Sequence, residues 1–521
     1  LAATRVDVNG LIEKGRENVA LYSNDFTQSV YFKSDVVISS TRVADPFGGT
    51  TAWSLNFGAT TNSRIEQNVS STSGVKTQSV WVRVPSGTQD FILGFSGGEY
   101  VTFTATTTWQ RFETFTPSGS AFPRVLCEDS ATLEVFGFQV EQGLVATDYI
   151  ETGASTAQSG ILEDMPRLDY SGGASCPSLL LEPQRSNINP NGEYFEAWNR
   201  VNNAVAVLTA NEYTSPEGKQ NAYEVEFTAS GGSSQIYKVL NGFTIGTKYT
   251  SSIYVKYISG SGADFQIVKS FGTAGVRCTF SNAGADLSVI AVGGTQANDF
   301  GKEPLENGWF RIWFTYASNT TNWEINISRQ TGSGSDVYGI YGFQLEAGSY
   351  PTSYIPTYGT SVTRSQEGAQ VTSVSDLIGQ TQGTLFAEVD SFGVGEVANR
   401  ILGISDGGMT MRVIMLTRSY GFRFIVTNSS SNSVDYTYST TTDGVHKLAM
   451  TYDANEVRIF VDGTKVTTDT SITLPTPLNS IHIGKLEQSG SYANNFGGSV
   501  KQSVVFPTAL TDSECIALTT L

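Results

Sequence analysis

The chain has 521 residues, 16% of them charged, and a formal net charge of −17 at pH 7. Affinity for nucleic acid rests on Lys and Arg neutralising phosphate, so this balance argues against nucleic-acid binding and instead keeps a large particle soluble and self-repelling. With 39% apolar and 11% aromatic residues the chain can fill several cores, and its 53 glycines with few Leu/Ala/Glu/Lys runs favour strands and turns over helices.

The length predicts three or more domains. Residues 1–17 read as a lead-in arm that opens "LAATRVDVNG", without an initiating Met or a signal peptide, so the natural start is expected upstream of Leu1. No apolar run approaches eighteen residues, and membrane insertion is not expected. Cys127, Cys176, Cys278 and Cys515 lie far apart, which predicts free thiols, mostly packed, in a reducing compartment.

Residues 18–153 form the first of two repeats. "FGFQVEQGLVATDYIET" (136–152) returns as "YGFQLEAGSYPTSYIPT" (341–357), and nine of the sixteen residues from Gly137 to Thr152 recur at an offset of 205. Upstream, "NVALYSNDF" meets "NINPNGEYF" at offset 169, and "DPFGGTTAWSL" meets "SPEGKQNAYEV" at 170. "SVWVR" meets "SIYVK" at 173 and "WQRF" meets "WFRI" at 200. An offset that only grows means insertions between shared strands, the largest of them between residues 257 and 304. The matched pieces alternate with period two. In "NWEINIS" (322–328), Trp323, Ile325 and Ile327 face one way and Glu324, Asn326 and Ser328 the other. The expected fold class is therefore all-β: tandem antiparallel β-sandwiches, two jelly rolls followed by a third sandwich.

Residues 154–186 form a connecting arm. Its "SGILE" (159–163) echoes "NGLIE" (9–13), and Leu179, Leu180 and Leu181 need burial, so it should pack rather than trail as a loose linker. The second repeat spans 187–359, and residues 360–372 link it to the third unit, 373–521. There "GVHKLAMTYD" and "EVRIFVDGTKVT" read as strands, Asp462-Gly463 as a two-residue hairpin, and Thr511 with Glu514 as the capping box of one short terminal helix.

The third unit resembles the concanavalin A-like lectin/glucanase fold in its laminin G-like branch, through "GVHKLAMTYD", "VRIFVDG", "IHIGK" and "FGGSVKQSVVFPTALTDSE". "CPSLLLEPQRSN", "FGFQVE", "YGFQLEAGSYPTSYIPTYGTSVTR" and "ATRVDVNGLIE" resemble phrases of bacteriophage virion proteins that carry carbohydrate-binding-module-like jelly rolls. The first repeat departs from that pattern, with "LIEKGREN" in place of "CPSLLLEPQR". The resemblance implies a phage appendage of the tail-fibre, tail-spike or head-fibre type at the virion surface, assembled in the host cytoplasm. It also implies other virion proteins and host-surface polysaccharide as partners, a homo-oligomer (a trimer), and Ca²⁺ as the one candidate cofactor.

Chemistry-bearing constellations are sparse. Glu388 and Asp390 in "FAEVDSF" share a strand face, but Phe392 stands where a third acid would extend the row, whereas glycoside cleavage needs two carboxyl groups roughly 5–9.5 Å apart. Glu163-Asp164 and Glu128-Asp129 are adjacent and would point apart on a strand. His446 alternates with core residues, and His482 sits between Ile481 and Ile483, facing away from them. Sugar recognition on sandwiches combines aromatic platforms with Asp, Asn and Gln on end loops or one sheet face. Trp109 and Trp309 occupy matching positions and are expected to share a core role. Trp198 lacks a counterpart in the first repeat and is the better surface candidate. In the third unit Asp406, Tyr420, Asn494 and Asn495 are the candidate ligand-loop residues. The reading is a non-enzymatic appendage that binds host glycan, with the lectin-like unit as tip. The alternatives are a purely architectural virion protein and a glycan depolymerase.

Overall fold

The computed structural model describes residues 2–69, 74–98, 100–117, 121–202, 205–228, 234–261, 264–269, 273–293, 299–330, 334–391, 399–408, 410–429, 431–441, 443–485 and 496–521. They form two compact units: Leu1–Thr4, Leu11–Glu163 and Ser186–Val362 make the first, and Arg5–Gly10, Asp164–Arg185 and Thr363–Leu521 the second. The fold is all-β, with tandem antiparallel sandwiches.

The first unit holds two jelly rolls of one topology. In the first, one sheet runs Gln110–Thr116, Lys76–Arg83, Ala131–Gln142, Ala52–Phe57, Val36–Val43, and the other Tyr100–Ala105, Gln89–Phe95, Pro123–Cys127, Ser63–Gln67, Tyr31–Ser34. The second repeats this order strand for strand. One sheet runs Trp309–Ala317, Lys248–Ser259, Asp336–Ala347, Ala222–Phe227, Ala206–Tyr213, and the other Ala274–Ser281, Phe265–Lys269, Asn322–Arg329, Gln235–Asn241, Asn199–Arg200. Each of its sheets gains one edge strand, Asp299–Pro304 and Asp286–Val292, and both lie in the stretch where the sequence offset jumps. Alternation fills each core: Leu55, Val80, Val82, Leu93 and Val125 in the first repeat, Val225, Ile253, Val255, Ile267 and Ile325 in the second.

The shared closing phrase is a buried polar latch. Gly137 (φ 65°) and Gly342 (φ 60°) sit where the pairing slips with the neighbouring strand, and a Cβ there would meet Trp81 or Tyr254. The slip reverses the alternation, so Leu133 and Val135 before it and Phe138 and Val140 after it all point inward, as do Tyr338, Ile340, Phe343 and Leu345. Beyond the glycine, the Gln139 side-chain Oε1 accepts the Ile150 N–H (2.8 Å) and Glu141 accepts the Thr147 hydroxyl (2.7 Å). Gln344 and Glu346 hold Ile355 (2.6 Å) and Thr352 (2.6 Å) in the same way. Asn18 and Asn187 close the latch: each accepts from the last strand (Val140 N, 3.0 Å; Leu345 N, 3.1 Å) and donates to the exit segment (Ile150 O, 2.8 Å; Ile355 O, 3.0 Å). Buried polar groups must be paired, and one spelling solves that problem at both chain exits.

Residues 11–17 of the lead-in lie on the second jelly roll. Ile12 donates its N–H to Pro216 O (2.9 Å) and joins Tyr254, Trp309, Tyr341 and Tyr354 in a cluster on the outer side of the sheet. Buried Lys14 pairs with Glu193 (2.5 Å) and Glu217, its ammonium 4.9 Å from the Tyr341 ring centre, while Arg16 binds Glu217 at 2.7 Å. Burial alone pushes the Glu217 carboxyl up, but Arg16 and Lys14 more than offset it and hold it at about 2.

In the second unit a seven-stranded sheet runs Leu168–Asp169, Ser178–Leu181, Gly498–Phe506, Gly383–Ser391, Gly444–Tyr452, Val457–Val461, Thr464–Asp469. It faces a six-stranded sheet of Ala369–Thr372, Ser480–Ile483, Asn399–Ser405, Arg412–Arg418, Gly421–Asn428, Ser431–Ser439. The arm supplies the strand Ser178–Leu181, and Leu180 and Leu181 are buried. Arg167 and Glu182 of the same arm pair at 2.6 Å in a buried cluster with Glu367 and Arg364, the latter 2.8 Å from Glu182. Asp462 (φ 45°) and Gly463 (φ 77°) form the predicted hairpin turn, and Thr511 and Glu514 cap the helix Asp512–Thr519. Cys127, Cys278 and Cys515 are buried thiols and Cys176 is exposed.

Both histidines are structural. His446 bonds Asp462 through Nδ1 (2.8 Å) and meets the Phe422 ring edge-on. His482 turns inward, 3% exposed, against the Ser405 hydroxyl at 2.9 Å, whereas Ile481 and Ile483 are only half-buried. Burial, with Lys485 and Arg400 nearby, lowers its pKa from 6.5 to about 4. Between those values the unfolded chain binds a proton that the folded chain refuses. Stability is therefore full above about pH 6.5 and falls as pH drops toward 4, by about 2 kcal/mol. Urea unfolding of the full chain at pH 7.5 and 4.5 should show this slope, and His482→Gln should flatten it.

Candidate functional site

The sequence-predicted positions do not converge. Trp198 is corrected from surface to core. It is 3% exposed, donates its indole N–H to Asn191 O (3.2 Å), and packs edge-on against Phe343 at 4.9 Å. The turn Phe195–Ala197 folds it inward, so the lack of a counterpart in the first repeat reflects the larger core of the second. Trp309 is buried, but on the outer face under Ile12 and not between the sheets, and Trp109 is only half-buried beneath Arg83. The two indoles do share a role: their N–H groups donate to equivalent carbonyls, Thr214 O (3.1 Å) and Ala44 O (3.2 Å).

In the second unit, Asp406 shapes its own turn, accepting the Gly408 N–H (2.9 Å) and the Thr410 hydroxyl (3.0 Å). Tyr420 is 54% exposed at the tip joining Arg412–Arg418 to Gly421–Asn428. Asp406 precedes the first of these strands and Tyr420 follows it, so the seven-residue strand Arg412–Arg418 holds them roughly 20 Å apart. Asn494 and Asn495 lie outside the described residues. Glu388 faces Lys447 across the sheet at 3.9 Å, with Asp390 two residues on. A depression of about 490 Å³ is lined by Asp453, Asn455, Glu456, Thr470 and Ile472, but Asp453 already accepts the Asn455 and Glu456 N–H groups. Among the described residues no three His, Cys, Asp or Glu side chains group as a metal site.

The densest polar layer is one the sequence reading did not single out: the outer side of the second jelly roll's sheet built on Gln235–Asn241, Asn322–Arg329, Phe265–Lys269 and Ala274–Ser281, where Gln235, Gln266, Ser328 and Asn326 are buried and Tyr237, Arg277 and Glu324 are half-buried. Register places Gln235, Ser328, Gln266 and Arg277 in one row and Tyr237, Asn326, Val268 and Gly275 in the next. Gln266 donates to the Ser328 hydroxyl (3.0 Å) and to Gln330 (3.2 Å), and accepts from Arg277 Nε (3.1 Å). Asn326, at the centre, is fully buried, yet neither its Nδ2 nor its Oδ1 has a protein partner, and a Glu324 carboxylate oxygen beside it is also unpartnered. Leaving a buried amide unpaired costs about 1–3 kcal/mol, so such a group calls for an explanation. Gly275, next to Val268, leaves the row without a side chain on that side. The layer meets solvent through half-buried Tyr237, Arg277 and Glu324, a ring, a donor and an acceptor of the kinds a polyhydroxylated ligand uses.

The equivalent face of the first jelly roll is self-satisfied. Arg64 (3.2 Å) and Arg124 bind Glu66, and Arg124 donates to the Tyr100 hydroxyl (2.8 Å). Phe32 and Tyr100 are 54% and 46% exposed at its two edges. The signal for the second face was present in "NWEINIS": the pattern gave the direction of Asn326, but not its burial or its lack of a partner.

Residues 364–515 match the family model of the concanavalin A-like lectin/glucanases superfamily. No curated protein matches the chain. Among solved structures, the CBM40 of the Ruminococcus gnavus IT-sialidase bound to α2,3-sialyllactose is 18% identical, covering 30% of this chain and 97% of its own, with a TM-score of 0.25. Domain 4 of a GH43 extracellular arabinanase from Geobacillus stearothermophilus, in complex with arabinotriose, is 13% identical over 33% of this chain and 83% of its own, with a TM-score of 0.26. A heptameric SAP-like pentraxin from Limulus polyphemus is 13% identical over 26% and 68%, with a TM-score of 0.22. Scores this low carry no functional argument. The family match and the sheets together establish a concanavalin A-like sandwich over residues 364–515.

Proposed function

We propose that the chain is a non-enzymatic glycan-binding protein of a virion surface, and that the outward polar face of the second jelly roll is its principal saccharide site. One observation carries the reading: half-buried Tyr237, Arg277 and Glu324 edge a buried polar ladder of Gln235, Gln266, Ser328 and Asn326, the last with no protein partner for its amide. A sugar ring presents hydroxyls that both donate and accept, which suits amides and a guanidinium better than a ring of carboxylates would. The concanavalin A-like second unit supports the same class of ligand. The resemblance of the repeats' phrases to phage fibre-type proteins supports the appendage, its virion partners and its host-surface polysaccharide ligand.

The test is Asn326→Leu in the full chain, probed on a glycan array. Replacing an unpartnered buried amide by an apolar side chain of similar size is neutral or stabilising. The urea midpoint should hold or rise while glycan affinity falls about tenfold or more. Unchanged glycan binding by the folded variant, or no glycan bound by the wild type, would refute the site.

A further inference from the structure

The two repeats treat one surface in opposite ways. On the second jelly roll, the outer face around Tyr254, Tyr341 and Tyr354 is covered by the lead-in, with Ile12 5% exposed and Lys14 held between Glu193 and Glu217. The repeat offsets place Trp81, Phe136 and Tyr149 at the matching positions of the first, with Phe47 for Glu217, Asn24 for Glu193 and Arg42 for Glu212. These rings form one cluster: Phe47 lies 5.5 Å from Trp81 and 5.7 Å from Phe136, and Trp81 lies 5.5 Å from Tyr149. Phe47 is 68% exposed. Arg111 stacks on Trp81 at 4.3 Å, and Arg42 is exposed nearby on the sequence that leads into Phe47.

The lead-ins are also a pair. Gly10-Leu11-Ile12-Glu13-Lys14 is echoed by Gly160-Ile161-Leu162-Glu163-Asp164, and both glycines are left-handed (φ 77° and 81°). Ile12 of the first copy is docked, whereas Leu162 of the second is 39% exposed and Met165 beyond it 64%. The charges have exchanged together. The lead-in that ends in Lys14 meets a face with two buried glutamates, and the lead-in that ends in Glu163-Asp164 has a matching face that lacks acids at those two positions and carries Arg111 on Trp81, with Asp148 and Glu151 flanking Tyr149. One molecule therefore carries an exposed Phe47 ring over a half-buried aromatic cluster and an exposed lead-in at the places that are docked together in the other repeat.

We propose that the lead-in around Leu162 of one copy docks on the Phe47–Trp81–Phe136–Tyr149 face of a second copy, so that the chain self-associates by lead-in exchange. Light scattering and analytical ultracentrifugation of the full chain should show a mass of at least two chains that depends on concentration. Phe47→Glu, which restores the second repeat's acid against Glu163 and Asp164, and Leu162→Asp should each weaken association about tenfold or more. Phe47→Glu combined with Asp164→Lys rebuilds the pairing seen at Lys14 and should recover it. All three changes are at exposed positions, and circular dichroism confirms that each variant is folded. A wild type that stays monomeric at all concentrations, folded single variants that associate like wild type, or a double variant no better than Phe47→Glu would each overturn the proposal.

Discussion

Lys14→Met is expected to destabilise the first unit by about 3–5 kcal/mol, although Lys14 lies far in sequence from the second jelly roll it packs on. The ammonium sits between Glu193 and Glu217, with Tyr341, Tyr354 and Tyr358 around it and all three ion-pair partners almost wholly out of solvent. Methionine keeps the stem's apolar contacts but leaves Glu193 without its cation and Glu217 with Arg16 alone, and a carboxylate stranded in a low-dielectric site is the costly outcome. Peptide-resolved hydrogen exchange of the full chain should show faster exchange in the Asp336–Ala347 strand and in the lead-in. The pair also has a pH signature. The Glu217 carboxyl, normally near 4.5, is held at about 2, so its contribution is full above about pH 4.5 and lost as pH falls toward 2. In Lys14→Met that acid limb should move to higher pH. Wild-type exchange rates in the variant would show that the lead-in is not a structural part of the second sandwich.

Glu182→Ala should have a comparable effect on the second unit. Glu182 is 2% exposed and joins Arg167 of the arm to Arg364, which follows the second jelly roll in sequence. Its removal takes a buried carboxylate from both Arg364 and Arg167, again about 3–5 kcal/mol. The arm strand Ser178–Leu181 pairs with Gly498–Phe506 at the side of the seven-stranded sheet, so the loss should appear first as exchange at Leu180 and Leu181. Glu182→Gln, which keeps the shape and one acceptor oxygen but not the charge, should recover part of it. A fully stable Glu182→Ala would mean that the arm is held by its leucines alone.

Much of this architecture was legible in the residues. The constant offset from Gly137 to Thr152 marked the duplication, and the jump in offset after residue 257 marked where Asp286–Val292 and Asp299–Pro304 extend the sheets. The capping box and the Asp462-Gly463 turn were readable because they depend on neighbours in sequence. What depended on partners distant in sequence was not. Trp198 looked like a surface residue because it lacked a counterpart, yet it fills the space the second core has and the first does not. The leucines at 179–181 announced their need for burial but not the sheet that satisfies it. Alternation showed that Asn326 points away from the core, but only the register of four strands shows that it is nonetheless buried there. Asp406 had the right chemistry for a ligand loop, but local N–H groups consume it, as they do wherever an Asp shapes its own turn.

Hydrogen exchange of the full chain with and without a host-surface polysaccharide bears most directly on what these sandwiches are for. Added saccharide should slow exchange in peptides covering Gln235–Asn241, Phe265–Lys269 and Asn322–Arg329, and Asn326→Leu should abolish that protection. Saccharide that binds but protects only peptides elsewhere, leaving those three strands unchanged, would contradict the assignment of this face.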